Sequence, residues 1–233
     1  MGEILGLITP LLLHMVVSEL SVMLLGSRFD SATCTTIAAL VVIPAAFLMY
    51  RRDSGNFNTK AGQIQPGQVQ QEHRINEKKQ VSGSGSGKSL EKRKLIGFGI
   101  FCFVAGGVLN ILWSGILNML HVSEVFSNQT QEALLHSEMM IQILGLGVLV
   151  PVAEELIFRA LIYTRMKCFF PVKAAVILSA ALFAIYHGNP IQMIFAFPMA
   201  VILAVIFEHG KLFIFPVIFH MGANLTAVFL NFL

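Results

Sequence analysis

Residues 138–164 read EMMIQILGLGVLVPVAEELIFRALIYT, an apolar stretch long enough to cross a bilayer as a single helix. About 20 such residues cover the roughly 30 Å of hydrocarbon in a membrane. Further apolar stretches occupy residues 4–26, 31–50, 95–120, 171–188, 190–208 and 212–231. Continuous apolar runs, in place of alternating ten-residue segments, favour helices over a barrel. The sequence therefore predicts an all-α polytopic bundle of about seven transmembrane helices.

The overall composition agrees with a membrane protein. Of the 233 residues, 55% are hydrophobic and 12% are charged, and the mean hydropathy is +0.74. An ordinary soluble domain has about 25% charged residues. This composition excludes a soluble enzyme and a disordered chain. The net charge of +3 gives no indication of a nucleic-acid partner.

Residues 51–94 differ from the rest of the chain, because they hold ten of its sixteen Lys and Arg residues and are rich in Gln, Gly and Ser. We expect a flexible loop. Basic loops stay in the cytoplasm, so this loop and the N-terminus are predicted to lie on the cytoplasmic side of the cell membrane, and the C-terminus on the outer side. The GSGSGKS sequence is not a phosphate-binding loop, because Ser82 occupies the position of the first required glycine. The chain thus divides into N-terminal helices at 1–50, the loop, a third helix with an external loop at 95–137, and a membrane core at 138–233.

Charged residues inside a membrane helix are costly, so each one indicates a candidate functional site. In PVAEELIFRALIY, Glu155 and Arg159 are four residues apart on one helix face and are expected to form an ion pair. Glu154 then points about 100° around the helix, without a local basic partner. Desolvation makes such a carboxylate a better proton acceptor, which suits a general base.

Histidines provide the other candidates. His187 lies near the end of the fifth apolar stretch, and His220 and Asn224 share one face of the seventh at a spacing of four residues. His14 and Glu19 lie in the first stretch, but five residues separate them and they do not share a face well. The polar residues with catalytic spacing therefore concentrate in the C-terminal half.

Two hydrolytic schemes fit these residues. Glu154, His187 and His220 match the ligand set of a catalytic zinc site with an open position for water. Without metal, Glu154 and His187 would polarise a water, while His220 and Asn224 would donate hydrogen bonds to the oxyanion. Packing histidines, a structural Glu–Arg clamp and a proton or ion pathway are the alternatives. Composition and spacing alone leave these alternatives open.

Three motifs follow one another in chain order: Glu154-Glu155-x-x-x-Arg159, Phe183-x-x-x-His187 and His220-x-x-x-Asn224. They resemble the motifs of the CPBP family of intramembrane proteases, also called the CAAX protease and bacteriocin self-immunity (Abi) family. The resemblance covers about residues 138–231. It implies an all-α membrane fold that encloses a polar catalytic cavity, and an endopeptidase activity.

The resemblance also implies a role for each motif residue. Glu154 would activate the water, with His187 as its partner. His220 and Asn224 would stabilise the oxyanion, or His220 would bind zinc. The supporting residues would be Glu155 and Arg159. Since both schemes use the same side chains, the sequence leaves the zinc requirement open.

The substrate is less clearly indicated. Eukaryotic family members trim prenylated CAAX proteins, whereas bacterial members are linked to bacteriocin immunity, peptide-signal maturation and the regulation of sensor kinases. This compact chain fits the bacterial type better. We expect a peptide or lipidated-protein substrate, contact with the lipid bilayer and no nucleic acid. The alternative is a non-proteolytic scaffold or bacteriocin-immunity protein that binds a membrane protein such as a sensor kinase.

Overall fold

The computed structural model describes residues 2–64, 85–121, 133–134 and 136–232, with side chains for 6–54, 91–121, 133–134 and 136–232. The helices are α1 (Gly2–Leu25), α2 (Ser31–Ile64), α3 (Gly85–Met119), α4 (Met139–Met166), α5 (Val172–Tyr186), α6 (Pro190–Gly210) and α7 (Ile214–Asn231). Within the described ranges, six of them are long and apolar enough to cross a bilayer, and α5 is a shorter apolar helix. The prediction of an all-α, multi-pass membrane bundle is confirmed.

The loop predicted over residues 51–94 is helical at both ends. α2 continues to Ile64 and α3 begins at Gly85, while residues 65–84 lie outside the described part of the chain. The apolar run ends at residue 50, but apolar content sets the end of a membrane span and not the end of a helix.

α4 is the central helix of the bundle. Of its membrane span, 67% is buried, compared with 11% of the membrane span of α1. Two π-helical segments, Gln142–Leu149 and Leu156–Tyr163, flank an α-helical piece at Val150–Glu155. Such wider turns inside α-helices are frequent at functional sites. The Glu154-Glu155 pair lies where the second wide segment begins.

A tight turn with the sequence Gly188-Asn189-Pro190 joins α5 to α6. Gly188 has φ +67°, a backbone conformation that favours glycine. Asn189 caps α6, because its Oδ1 accepts a hydrogen bond from the Ile191 backbone N–H at 2.9 Å. Pro190 occupies the first turn, where a missing N–H has no cost. The turn ends α5 at Tyr186 and leaves the next residue at the helix terminus.

Glycines let α3 and α7 pack with their backbones in contact. A Cβ atom on Gly106 would lie 2.0 Å from the Phe219 carbonyl oxygen, and one on Gly222 would lie 2.1 Å from the Phe103 carbonyl oxygen. Small residues at membrane-helix interfaces permit this close approach. Gly222 therefore serves the packing of α7 against α3.

Arg165, at the end of α4, ties three helices together. Pro10 cannot donate to the Gly6 carbonyl within α1. The Arg165 guanidinium donates to that carbonyl from α4 through Nη1. Its Nε also donates to Asp53 Oδ2 of α2 at 2.7 Å. Neighbouring helices commonly satisfy the backbone groups that a proline frees in a membrane helix.

Candidate active site

A buried polar cluster joins α4 to α7. Glu155, which is fully buried, has its Oε2 3.0 Å from Arg159 Nε and its Oε1 2.8 Å from His220 Nδ1. The Glu155–Arg159 pair is the one that the spacing predicts. The partnership with His220, 65 residues further along the chain, is additional. Glu155 therefore fixes which ring nitrogen of His220 is committed to a carboxylate and which remains available.

Glu154 has a different environment from its neighbour. It is 6% exposed, and its Oε2 lies 3.7 Å from His220 Nε2. That separation is longer than a hydrogen bond. Arg159 pairs with Glu155 and not with Glu154, as the sequence predicts. Glu154 thus retains acceptor capacity beside the second nitrogen of the same imidazole.

His187 is connected to this cluster through an aromatic ring. Its Nδ1 lies 2.8 Å from the Phe183 carbonyl oxygen, so Nδ1–H donates to the backbone and Nε2 remains an acceptor. The ring centroid of Phe183 lies 4.8 Å from that of His187 and 5.9 Å from that of His220. The Arg159 guanidinium carbon lies 4.5 Å above the same ring. Phe183 is the common contact of both histidines and the arginine, a role that its place in the motif does not reveal.

Asn224 contacts α4 at a proline-freed carbonyl. In the π-helical segment the Val150 N–H bonds to the Gly145 oxygen, five residues back. The same pattern would require the N–H of Pro151 for the Leu146 oxygen, and proline has none. Asn224 Nδ2 supplies the missing donor to Leu146 O at 2.9 Å. One of its two N–H bonds is therefore committed to the fold, and one remains.

A histidine outside the predicted set also lies beside the cluster. His14 of α1 is 3% exposed, and the Tyr186 hydroxyl lies 3.0 Å from its Nδ1. His14 interacts electrostatically with both Glu154 and His187. Glu19 lies on the exposed side of α1, so the two residues do not share a face, as expected. A histidine within an apolar stretch was the sequence signal for this contact.

The candidate zinc ligands can be tested against this geometry. Nδ1 of His187 and of His220 each has a backbone or carboxylate partner, an arrangement that suits metal-binding histidines. However, no group of three His, Cys, Asp or Glu side chains in the described part of the chain is gathered closely enough to hold a metal ion. Glu154, His187 and His220 in this arrangement do not fit a zinc ion, and the mechanism below uses none.

Comparison with known proteins identifies the segment that carries these residues. Residues 136–226 match the family of type II CAAX prenyl endopeptidase Rce1-like proteins. This segment, called the Rce1-like segment below, is similar to that family. The match confirms the resemblance that the three motifs predict, and it supports a membrane endopeptidase in general. No curated protein and no solved structure matches the chain. The Rce1-like segment begins just before α4 and ends within α7, so it contains every motif residue and excludes α1, α2 and α3.

Proposed function

We propose that this protein is an intramembrane endopeptidase that hydrolyses a peptide bond of a membrane-associated or peptide substrate. The observation that carries the proposal is the contrast within the adjacent pair. Glu155 is held by Arg159 and His220, whereas Glu154 faces the same histidine without a hydrogen bond. A buried carboxylate with free acceptor capacity is suited to take a proton from water.

In the proposed reaction, a water molecule lies between the Glu154 carboxylate and His187 Nε2. Glu154 accepts one proton of this water as its oxygen attacks the carbonyl carbon of the scissile peptide. The C–N bond of the tetrahedral intermediate then breaks, and Glu154 passes the proton to the departing amine. His187 orients the water, because its Nδ1 is fixed by the Phe183 carbonyl oxygen.

His220 is proposed to stabilise the oxyanion. Its Nδ1 lies 2.8 Å from Glu155 Oε1, so this nitrogen is committed to the carboxylate. Nε2 has no such close partner, since Glu154 Oε2 is 3.7 Å away. In the proposed scheme Nε2 donates to the developing negative charge. The uncommitted N–H of Asn224 would be the second donor.

The decisive experiment compares two carboxylate variants in a cleavage assay. The purified protein in lipid nanodiscs is incubated with peptide pools that carry or lack a C-terminal prenylcysteine, and products are identified by mass spectrometry. We expect E154Q to lose cleavage. E138Q should cleave like the wild type, because Glu138 is exposed just before α4. Wild-type cleavage by E154Q would overturn the proposal, and the two pools test whether a prenyl group is required.

Zinc dependence is tested separately. Since the three donor side chains are not gathered, we expect cleavage to persist after treatment with a zinc chelator. The measurement is the initial rate before chelation, after chelation and after zinc is added back. A rate that is lost and then restored by zinc would contradict the metal-free scheme while leaving the peptidase assignment intact.

We also propose that the protein lies in the cell membrane with its N-terminus and residues 51–94 in the cytoplasm. In support, basic residues meet at one end of the bundle, where Arg165 bonds to Asp53 and Lys167 bonds to Glu208. Cys168 is exposed beside Lys167, whereas Cys34 and Cys102 are buried. An impermeant maleimide should therefore label wild-type protein in inverted vesicles but not in intact cells. The reverse pattern would reverse the topology.

A further inference from the structure

His14 is a buried polar residue on a helix most of which faces outward. Only 11% of the α1 membrane span is buried, yet His14 is 3% exposed. Its Nδ1 lies 3.0 Å from Ser18 Oγ and 3.0 Å from the Tyr186 hydroxyl. A polar side chain inside a membrane helix is costly, and those that occur commonly face the interior of the bundle and serve function. α1 lies outside the Rce1-like segment.

Tyr186 connects His14 to the candidate site. Its ring packs edge-on against His14, with centroids 4.9 Å apart, and its centroid lies 5.7 Å from that of His187. The ring of Phe158 in α4 packs against the same ring, with the two centroids 5.6 Å apart. Tyr186 is also the last residue of α5, and His187 follows it directly. The hydroxyl of Tyr186 thus anchors the end of α5 to α1.

The end of α5 is a helix terminus that a turn follows at once. The helix is only 15 residues long, and Gly188 turns the chain immediately after His187. Helix ends have weaker backbone restraint than helix interiors. The direction of the His187 ring therefore depends on side-chain contacts of this last turn. The Phe183 carbonyl oxygen provides one, and the Tyr186–His14 hydrogen bond holds the turn itself.

We propose that His14 is a positioning residue of the site, which fixes the end of α5 through Tyr186 and thereby sets the direction of His187. The peptidase role of this residue rests on the function proposed above. α1 is then part of the active site, although the matched segment does not include it. A misplacement of about 1 Å in a catalytic group can cost about a hundredfold in rate.

Three variants separate the hydrogen bond from simple packing. Y186F keeps the ring that contacts His187 and Phe158, and removes the hydroxyl. H14F removes both ring nitrogens that the hydroxyl contacts, at 3.0 Å and 3.3 Å. H14N places an oxygen close to the position of Nδ1 and should restore the bond. The control S21A changes another buried polar residue of α1 that takes no part in this contact.

With a peptide cleaved by the wild type, we expect Y186F and H14F each to lower kcat about tenfold at an unchanged KM. The double variant should be no worse than either single variant, because both remove the same bond. H14N should recover most of the rate, and S21A should behave like the wild type. Additive losses, or equal losses in H14N and H14F, would overturn the positioning role.

A second measurement does not depend on cleavage. In protein labelled with ¹⁵N-histidine, the ring resonances of His187 should shift in Y186F and H14F and stay in place in S21A and H14N. Unshifted His187 resonances in Y186F and H14F would overturn the inference, even if E154Q is inactive. Shifted resonances together with full cleavage by E154Q would refute the proposed function while the link between His14 and His187 stands.

Discussion

Glu154 and Glu208 are both acidic residues of the helical bundle, but their surroundings are opposite. Glu208, near the end of α6, accepts three hydrogen bonds, from Tyr163 at 2.8 Å, Lys167 at 2.7 Å and Lys211 at 2.6 Å. Glu154, in the middle of α4, has the His220 nitrogen at 3.7 Å. A carboxylate with three donors from neighbouring segments holds helix ends together. A carboxylate that is buried with acceptor capacity left is available to a molecule that enters the bundle.

The largest expected effect tests this difference between Glu154 and Glu208 directly. E154Q should lower kcat by about 10²–10⁴-fold, the usual contribution of a general base, with little change in the melting temperature. E208Q should do the reverse, with near-normal cleavage and a lower melting temperature, because three donors lose a charged acceptor. Cleavage rates and melting curves of both variants in nanodiscs measure the two effects. If E208Q alone abolished cleavage, the division between the two carboxylates would be wrong.

The next effect concerns the buried ion pair between Glu155 and Arg159. R159M leaves Glu155 buried without its guanidinium partner, and breaking a buried ion pair on one side costs about 3–5 kcal/mol. We therefore expect R159M to have a much lower melting temperature than the wild type. The double variant E155Q/R159M should recover part of the loss because no charge is left unpaired. A double variant less stable than R159M would show that hydrogen bonding, and not charge balance, dominates.

A smaller effect tests the carbonyl contact of Asn224. N224A leaves the Leu146 carbonyl without its donor, which should lower the free energy of unfolding by about 1–3 kcal/mol. In a P151A background the new N–H can supply that donor, so the same substitution should cost less. Chemical unfolding of the four proteins gives the coupling energy between the two positions. Equal costs in both backgrounds would disprove the contact as described.

The smallest effect lies outside the membrane spans. Hydrogen bonds from Ser137 and Thr33 lower the pKa of Asp30 below its ordinary value of 3.8. Because the pKa of Asp30 is lower in the folded state, these bonds stabilise the fold fully at a pH above the ordinary pKa. This stabilisation is lost as the pH falls from the ordinary pKa through the lowered pKa of the folded state. The melting temperature of S137A should therefore fall less than that of the wild type between about pH 5 and about pH 3. Parallel curves would contradict this account.

Local geometry determined how much of the site could be predicted from the sequence. The Glu155–Arg159 pair follows from a spacing of four on one helix, and the tight turn after α5 follows from Gly188 and Pro190. The partnership of Glu155 with His220 needs the packing of α7 against α4, which no spacing expresses. The helical ends of residues 51–94 were missed because polar composition marks the membrane surface and not the end of a helix.

Two other features depend on structure that the sequence does not show. The role of Asn224 requires the wide helical turn that leaves Leu146 without a donor. The contact of His14 with Tyr186 requires α1 to lie against α5. In both cases the residue was visible as a polar group in an apolar run. Its partner was not, because the partner is on another helix.

The contact between Asn224 and Leu146 links the evolution of two distant positions. A donor on α7 is needed because residue 151 is a proline, so drift at position 151 to any residue with an N–H would relax selection for the packing role of position 224. Proteins descended from a common ancestor should then vary at the two positions together. Descendants that keep the asparagine without the proline would be retaining it for its remaining N–H, and they would mark the lineages in which the amide serves the reaction.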